Sequence, residues 1–334
     1  MSDKLGAAVI GLGMMGERHA RIWAELPQTR LVSVCDIIPE RARAVAEDYP
    51  CMVAASLEET VSAPGVDIVS VCTDDQAHVQ PALAAAAAGK HVLVEKPLAT
   101  SLVNCDRIIQ ACERAGVKLM TGHVCRFDPR YVACHDAVVS GEVGDIVQVF
   151  ARRNNTVTSG RRIGPRTSVA FFLGVHEIDL MCWITGSRIT RVHAESTSKV
   201  LADIPADDTI LTVLRLENGA VGCIETCWVI PEGSPNSLDA RLEVVGTRGR
   251  VAAHVGGEEV IEAAASGRVR RPDIVYWTEV HGRAHGALRE QLEHFADCVL
   301  TGGELVITPA EARHAVEVAE AIHRSLETGA PVQL

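Results

Sequence analysis

Residues 7–19 read AAVIGLGMMGERH, and this stretch decides the fold. An apolar run enters Gly11, Gly13 and Gly16, spaced G-x-G-x-x-G, and a helical stretch follows from about Gly16 to Leu26. The spacing alone is a weak signal. Between a strand and a helix it has a mechanical meaning. The first glycine permits a tight turn, the second lets a pyrophosphate approach the backbone, and the third lets helix and strand pack closely. The helix N-terminus then offers N–H groups and partial positive charge to phosphate. Asp36 closes the next apolar run, LVSVCD, twenty residues after Gly16. A carboxylate there accepts hydrogen bonds from both ribose hydroxyls and repels a 2′-phosphate. Ile37-Ile38-Pro39 follows, with no Arg, Ser or Thr, which favours NAD over NADP. Arg41 and Arg43 are the counter-signal, although both fit a solvated helix face.

Outward from this unit the pattern repeats. LVSVCD precedes PERARAVAED, VDIVSVCT precedes QAHVQPALAAAAAGK, HVLVEKP precedes SLVNCDRIIQACERAG, and VKLM follows. Strands that are apolar throughout are buried on both faces, as in a parallel sheet covered by helices. Residues 1–124 are therefore expected to form a doubly wound α/β domain. From residue 125 the character changes. VQVFARRN, ITRVHAEST, DTILTVLRL, AVGCIETCWVI and LDARLEVVG read as strands of a large, mostly antiparallel open sheet, with a hairpin signal at Asn218-Gly219. Helices are expected from about His285 to Leu300 and from about Pro309 to Glu327. Residues 125–334 are expected to form a second α/β domain that binds substrate and mediates oligomerisation.

Composition limits the function classes. A formal net charge of −11 argues against nucleic acid and anionic membranes as partners. No apolar run reaches the roughly 18 residues of a membrane span, and the N-terminus lacks the pattern of a signal peptide. The 11 cysteines contain no C-x-x-C pair, which fits reduced thiols in a cytoplasm. Cys223 and Cys227 share a strand face and read as core. His281 and His285 are four apart but lack a third ligand, so no metal is expected.

A second stretch bears on chemistry: LVEKPLAT, residues 93–100. The chain has five lysines, and Lys96 stands at the end of an apolar strand, between Glu95 and Pro97. Ligands of open α/β sheets bind at the carboxyl ends of the strands, which puts Lys96 near the reactive end of the cofactor. Pro97 supports a cis peptide or a rigid turn that directs the side chain.

In order along the chain, GLGMMGERH, Asp36, CTDDQAH, GKHVLVEKPLA, RFDP and GVHEIDL resemble the Gfo/Idh/MocA dehydrogenases, a family similar to glucose–fructose oxidoreductase and inositol 2-dehydrogenase. The resemblance covers nearly the whole chain and is strongest over residues 9–180. It implies a Rossmann domain followed by a C-terminal α/β domain. It further implies NAD(P)-dependent oxidation of a secondary alcohol of a sugar or cyclitol, or the reverse, and a homodimer or homotetramer built on the open sheet. It implies that Lys96 contacts substrate and cofactor and that His176 is the acid/base. Cofactor contacts are implied for Gly11, Gly13, Met14, Met15, Gly16, Asp36, Thr73, His78, Glu95 and Lys96. Family position implies substrate or nicotinamide contact for His123 and Arg126, with a structural hinge at the domain junction as the alternative, and Arg153, Asp179 and His285 are further candidates for substrate contact.

The chemistry agrees with these roles. Histidine titrates near working pH, and a lysine cation stabilises a developing alkoxide. His176 and Asp179, three apart on a helix, share a face; Asp179 either orients the imidazole or pairs elsewhere. One departure is notable. Many family members carry an aspartate four residues before the histidine, and here Phe172 stands there. That makes Lys96 a candidate for the main proton-transfer group.

From Ile146 to Val175 there are five arginines (Arg152, Arg153, Arg161, Arg162 and Arg166) and no acid. They fit either an anionic substrate, such as a sugar phosphate, sugar acid or nucleotide sugar, or a loop or subunit interface whose acids lie elsewhere. A short-chain dehydrogenase is disfavoured, because none of Tyr49, Tyr131 and Tyr276 begins Y-x-x-x-K. A non-catalytic dinucleotide sensor is the alternative from another class.

Overall fold

The computed structural model describes residues 4–234, 236–256, 262–263, 269–270 and 273–334. Two compact units divide the chain. The first comprises Met1–Phe127 and Ile274–Arg313, the second Asp128–Asp273 and His314–Leu334.

The first unit is built on six strands: β1 (Leu5–Ile10), β2 (Thr29–Cys35), β3 (Met52–Val53), β4 (Ile68–Val71), β5 (His91–Glu95) and β6 (Leu119–Gly122). They lie in the order β3-β2-β1-β4-β5-β6, and every pair is parallel. The order reverses direction at β1, so β1 and β4 flank the crevice where ligands of such sheets bind. Helices α1 (Met14–Glu25), α2 (Pro39–Asp48), α3 (Leu57–Ser62), α4 (Val79–Ala87) and α5 (Leu102–Ala115) connect the strands. Local chemistry sets their ends. Pro39 opens α2. Ser56 and Ser101 cap α3 and α5 through their hydroxyls. Gly116 ends α5 in the left-handed conformation. Ala82, Ala85 and Ala86 let α4 bury a flat face.

In the second unit come α6 (Pro129–Val139), β7 (Ile146–Thr156), α7 (Val157–Ile163), a π-helical turn (Ala170–Gly174) and α8 (Val175–Thr185). Then follow β8 (Ile189–Thr197), β9 (Thr209–Leu216), β10 (Val221–Ile230), β11 (Leu238–Gly246) and β12 (Arg250–Val255). Two-residue strands pair as β13 (Glu262–Ala263) with β14 (Val269–Arg270), and as β15 (Glu279–Val280) with β16 (Arg283–Ala284). Helices α9 (Ala287–Thr301) and α10 (Pro309–Thr328) and strand β17 (Val332–Gln333) complete the chain.

The large sheet runs β12-β11-β7-β10-β9-β8-β17, antiparallel except for the β7–β10 pair. At the β9–β10 hairpin, Gly219 takes a φ of +89°. Period-two alternation sends Ile210, Thr212 and Leu214 inward, while Leu211 and Val213 stand 50% and 60% exposed. On this outer face Val213, Cys223 and Phe150 fall in one row across β9, β10 and β7.

The expected domains are 1–124 and 125–334; in the compact units, residues 274–313 group with the first. Helix α9 buries Leu288, Leu292, Phe295 and Ala296 and packs on α1 and on the 3-10 turn Val124–Phe127. Ahead of α9, the Arg21 guanidinium donates to Glu279 at 2.8 Å and to the Gly282 carbonyl at 2.9 Å. Arg18 lies over the Trp277 ring at 4.7 Å.

Candidate active site

The glycine turn follows from steric need. Gly11 has φ +87°, and a Cβ on it would meet the Thr73 nitrogen at 2.6 Å. A Cβ on Gly16 would lie 1.8 Å from the Gly11 carbonyl oxygen, so β1 and α1 meet here without side chains between them. Gly13 is different: a Cβ there would meet nothing within 4 Å, and its backbone is extended. Gly13 is the N-cap of α1 and, having no side chain, supplies no cap to the helix's first N–H groups. Met14 and Met15 form the first turn, with Met14 half exposed.

These contrasts separate a fold role from a binding role. Gly16→Ala is expected to destabilise the protein by about 1–3 kcal/mol. Gly13→Ala is expected to leave stability within about 0.5 kcal/mol, as for an open surface position, while weakening NADH binding. Thermal melts and a fluorescence titration with NADH check both; loss of stability at Gly13 with unchanged binding would reverse the assignment.

A groove of about 680 Å³ opens beside this turn, lined by Gly11, Gly13, Asp36, Arg41, Thr73 and Arg107 among others. Asp36 is oriented by the backbone: one carboxylate oxygen accepts from Leu12 N at 2.5 Å and the other from Ile38 N at 2.7 Å. Arg41 Nη1 lies 3.9 Å away. Across the groove, the Thr73 hydroxyl is buried without a hydrogen-bond partner among the described residues. The open cradle at Gly13, the uncapped helix, the carboxylate and this orphan hydroxyl fit a dinucleotide.

At the carboxyl end of β5 the Lys96–Pro97 peptide is cis. Lys96 is half-buried. Its backbone N–H donates to Glu95 Oε2 at 3.3 Å. Glu95 is buried, and its other oxygen faces His19 Nε2 at 3.2 Å. Burial pushes the Glu95 pKa up, but the His19 hydrogen bond and the charges of His19, Lys96 and His78 outweigh it, so the net direction is down. His78 sits between two main-chain carbonyls, Pro97 O at 2.8 Å from Nδ1 and Thr73 O at 3.1 Å from Nε2. Burial pushes its pKa down. A neutral ring carries one N–H, so His78 donates to one of these two carbonyls and lies against the other, between the LVEKPLAT turn and the Thr73 wall of the groove.

His123 is buried just after β6, its N–H bonded to Thr121 O. Arg126 was expected at the substrate. It is buried, and its Nη1 donates to Val306 O and Glu311, both at 2.9 Å. His285 is exposed and lies outside α9, whose N-cap is Gly286.

In the second unit His176 is half-buried in the first turn of α8. Asp179 is buried on the same helix. Phe172 falls in the π-helical turn and packs obliquely on Trp228, centroids 6.3 Å apart. Arg153 points inward from β7, forms an ion pair with Glu177, and reaches the Tyr131 hydroxyl at 3.3 Å. Burial raises the Glu177 pKa against the pull of Arg153, and Asp179 adds to the rise. Arg152 pairs with Asp239 and Arg161 with Asp203. Three of the five arginines thus meet acids of their own unit, which removes much of the case for an anionic substrate. Glu177 was missed in the sequence; a carboxylate inside the apolar helix VHEIDLMCWIT was the available signal. Among the described residues, no group of three His, Cys, Asp or Glu side chains converges as for a metal. No helix among them is long and apolar enough to cross a membrane.

Known proteins give the same picture. Residues 5–123 match the family GFO_IDH_MocA, described as "Oxidoreductase family, NAD-binding Rossmann fold". Residues 136–334 match its "C-terminal alpha/beta domain". The chain is 32% identical to inositol 2-dehydrogenase 1 of Saccharopolyspora erythraea, over 98% of this chain and 95% of that protein. It is 29% identical to scyllo-inositol 2-dehydrogenase (NAD(+)) of Bacillus subtilis, over 100% and 97%. The crystal structure of GenD2 from gentamicin A biosynthesis in complex with NAD superposes with a TM-score of 0.86 at 27% identity, over 100% and 97%.

Proposed function

The chain belongs to the Gfo/Idh/MocA family of NAD-binding oxidoreductases, and from that premise we propose that it oxidises a secondary alcohol of a cyclitol or related sugar to the ketone, or runs the reverse. The observation that carries this reading is the pairing, in one unit, of a groove built for a dinucleotide with Lys96 at the carboxyl end of β5. The similarity to inositol dehydrogenases over the full chain selects the substrate class.

The open cradle at Gly13 and the α1 N-terminus would hold the pyrophosphate of NAD and Asp36 a ribose, and the cofactor would supply the hydride acceptor for the carbinol carbon. The protein must also remove the hydroxyl proton. Lys96 stabilises the developing alkoxide and, with Phe172 in place of the usual carboxylate, takes a larger share of the proton transfer. His176 is the second acid/base. Neutral polyols are favoured over phosphorylated ones, because Arg152, Arg153 and Arg161 already have carboxylate partners. The test is nicotinamide absorbance during incubation with NAD and a panel of cyclitols, sugars and sugar phosphates. Reduction with a cyclitol supports the reading. Tight NADH binding with no turnover on any member would favour a sensor.

We also propose a homo-oligomer joined through the outer face of the large sheet, where Leu211 and Val213 on β9 are 50% and 60% exposed and Val221 on β10 is 43% exposed. Light scattering should give the mass of a dimer or tetramer; a monomer at micromolar concentration would contradict it.

A further inference from the structure

Four buried side chains lead from α1 to the backbone of Lys96. Trp23 Nε1 donates to Ser70 Oγ at 2.8 Å. Ser70 Oγ lies 3.2 Å from His19 Nδ1, and His19 Nε2 lies 3.2 Å from Glu95 Oε1. Glu95 Oε2 accepts the Lys96 N–H. His19 and Trp23 are each fully buried and lie four apart on α1, and Ser70 stands on β4.

With a neutral His19, one arrangement of protons satisfies the chain. The indole N–H only donates, so the serine oxygen accepts it. The serine hydroxyl proton is then available to His19 Nδ1, which leaves the ring proton on Nε2, directed at the carboxylate. Gly122 completes the enclosure: a Cβ there would press on a Glu95 carboxylate oxygen at 2.8 Å. The carboxylate is therefore fixed on one side by β6 and on another by α1.

We propose that His19 is a positioning residue for Lys96: in its Nε2–H tautomer it holds the Glu95 carboxylate that receives the Lys96 N–H, and so sets where the lysine stands. This rests on the reading of Lys96 as the group that meets substrate. Ser70 fixes the tautomer, and Trp23 fixes Ser70. The helix whose N-terminus faces the dinucleotide groove thus also sets the lysine two strands away, at the same carboxyl edge of the sheet. Supporting shells of this kind hold reactive groups within fractions of an ångström.

The test uses two substitutions that differ in reach. The amide of His19→Gln places an N–H where Nε2 stood and still reaches Glu95. The amide of His19→Asn occupies the Nδ1 position and reaches only Ser70. Turnover, NADH affinity and the rate of Lys96 labelling by trinitrobenzenesulfonate are measured on the full-length protein. With only five lysines in the chain, mass spectrometry resolves Lys96. H19N should lower kcat about 10- to 100-fold with little change in KM or NADH affinity, and should change the Lys96 labelling rate severalfold. H19Q should restore both. If H19N does not fold, Ser70→Ala replaces it, with a smaller effect in the same direction. Equal behaviour of H19Q and H19N, or lowered stability with unchanged kcat and labelling, would overturn the proposal. Labelling needs no substrate. If no polyol is turned over, the function reading fails, and the labelling contrast still decides the role of His19.

Discussion

Lys96→Ala lowers kcat for alcohol oxidation by about 10²- to 10⁴-fold, the range for removing a positioned acid/base, while NADH still binds. This follows from what each residue touches. The pyrophosphate cradle at Gly13 and the ribose carboxylate at Asp36 lie at β1 and β2, and neither is built with the lysine. The Lys96 backbone is held by Glu95, so truncating its side chain leaves the turn intact. Lys96→Arg keeps a charge but replaces a compact ammonium by a planar fork whose pKa stays far above the working range. It should recover alkoxide stabilisation in part and proton transfer not at all. The comparison separates the two roles. Near wild-type kcat in Lys96→Ala would remove Lys96 from the chemistry.

Asp36→Ala should weaken NAD binding about 10- to 100-fold, the loss of hydrogen bonds to a charged acceptor, and erase most of the preference for NAD over NADP. Two effects combine. The carboxylate no longer accepts from ribose, and it no longer repels a 2′-phosphate. Arg41 lines the groove 3.9 Å from that carboxylate and is placed to meet the added phosphate. Asp36 also receives Leu12 N and Ile38 N, so part of the loss reflects a looser glycine turn. Asp36→Asn removes the charge but keeps an acceptor for only one of those two N–H groups, so it should retain part of the turn while losing the repulsion of a 2′-phosphate. An unchanged NAD/NADP ratio in both variants would show that another residue sets cofactor choice.

The parallel sheet was legible because its strands are apolar throughout and regularly separated by helices, and because the glycine motif sits at its required strand–helix junction. Lys96 was legible because an ionised residue is conspicuous at the end of a buried strand. Other features had no local signature. The helical period of α9 predicts an apolar face but not the partner it covers, so the return of residues 274–313 to the first unit was invisible. The π-helical turn at Ala170–Gly174 has the same apolar composition as the helix it enters. The arginine run looked unmatched because its acids, Asp239, Glu177 and Asp203, lie outside the window in which it was read. Arg126 stood in the stretch RFDP beside the end of β6, yet Val306 and Glu311, to which it donates, are about 180 residues away. His19 sat in plain view beside Gly16, but only folding brings Ser70 and Glu95 to its two nitrogens.

The most direct test of the central claim is isotope transfer. The protein is incubated with NAD and a cyclitol carrying deuterium on its carbinol carbons, and the nicotinamide product is examined by mass spectrometry. The account predicts one deuterium in the reduced nicotinamide together with the corresponding ketone, and the loss of both in Lys96→Ala. Binding of NADH without deuterium transfer from any cyclitol or sugar offered would contradict it.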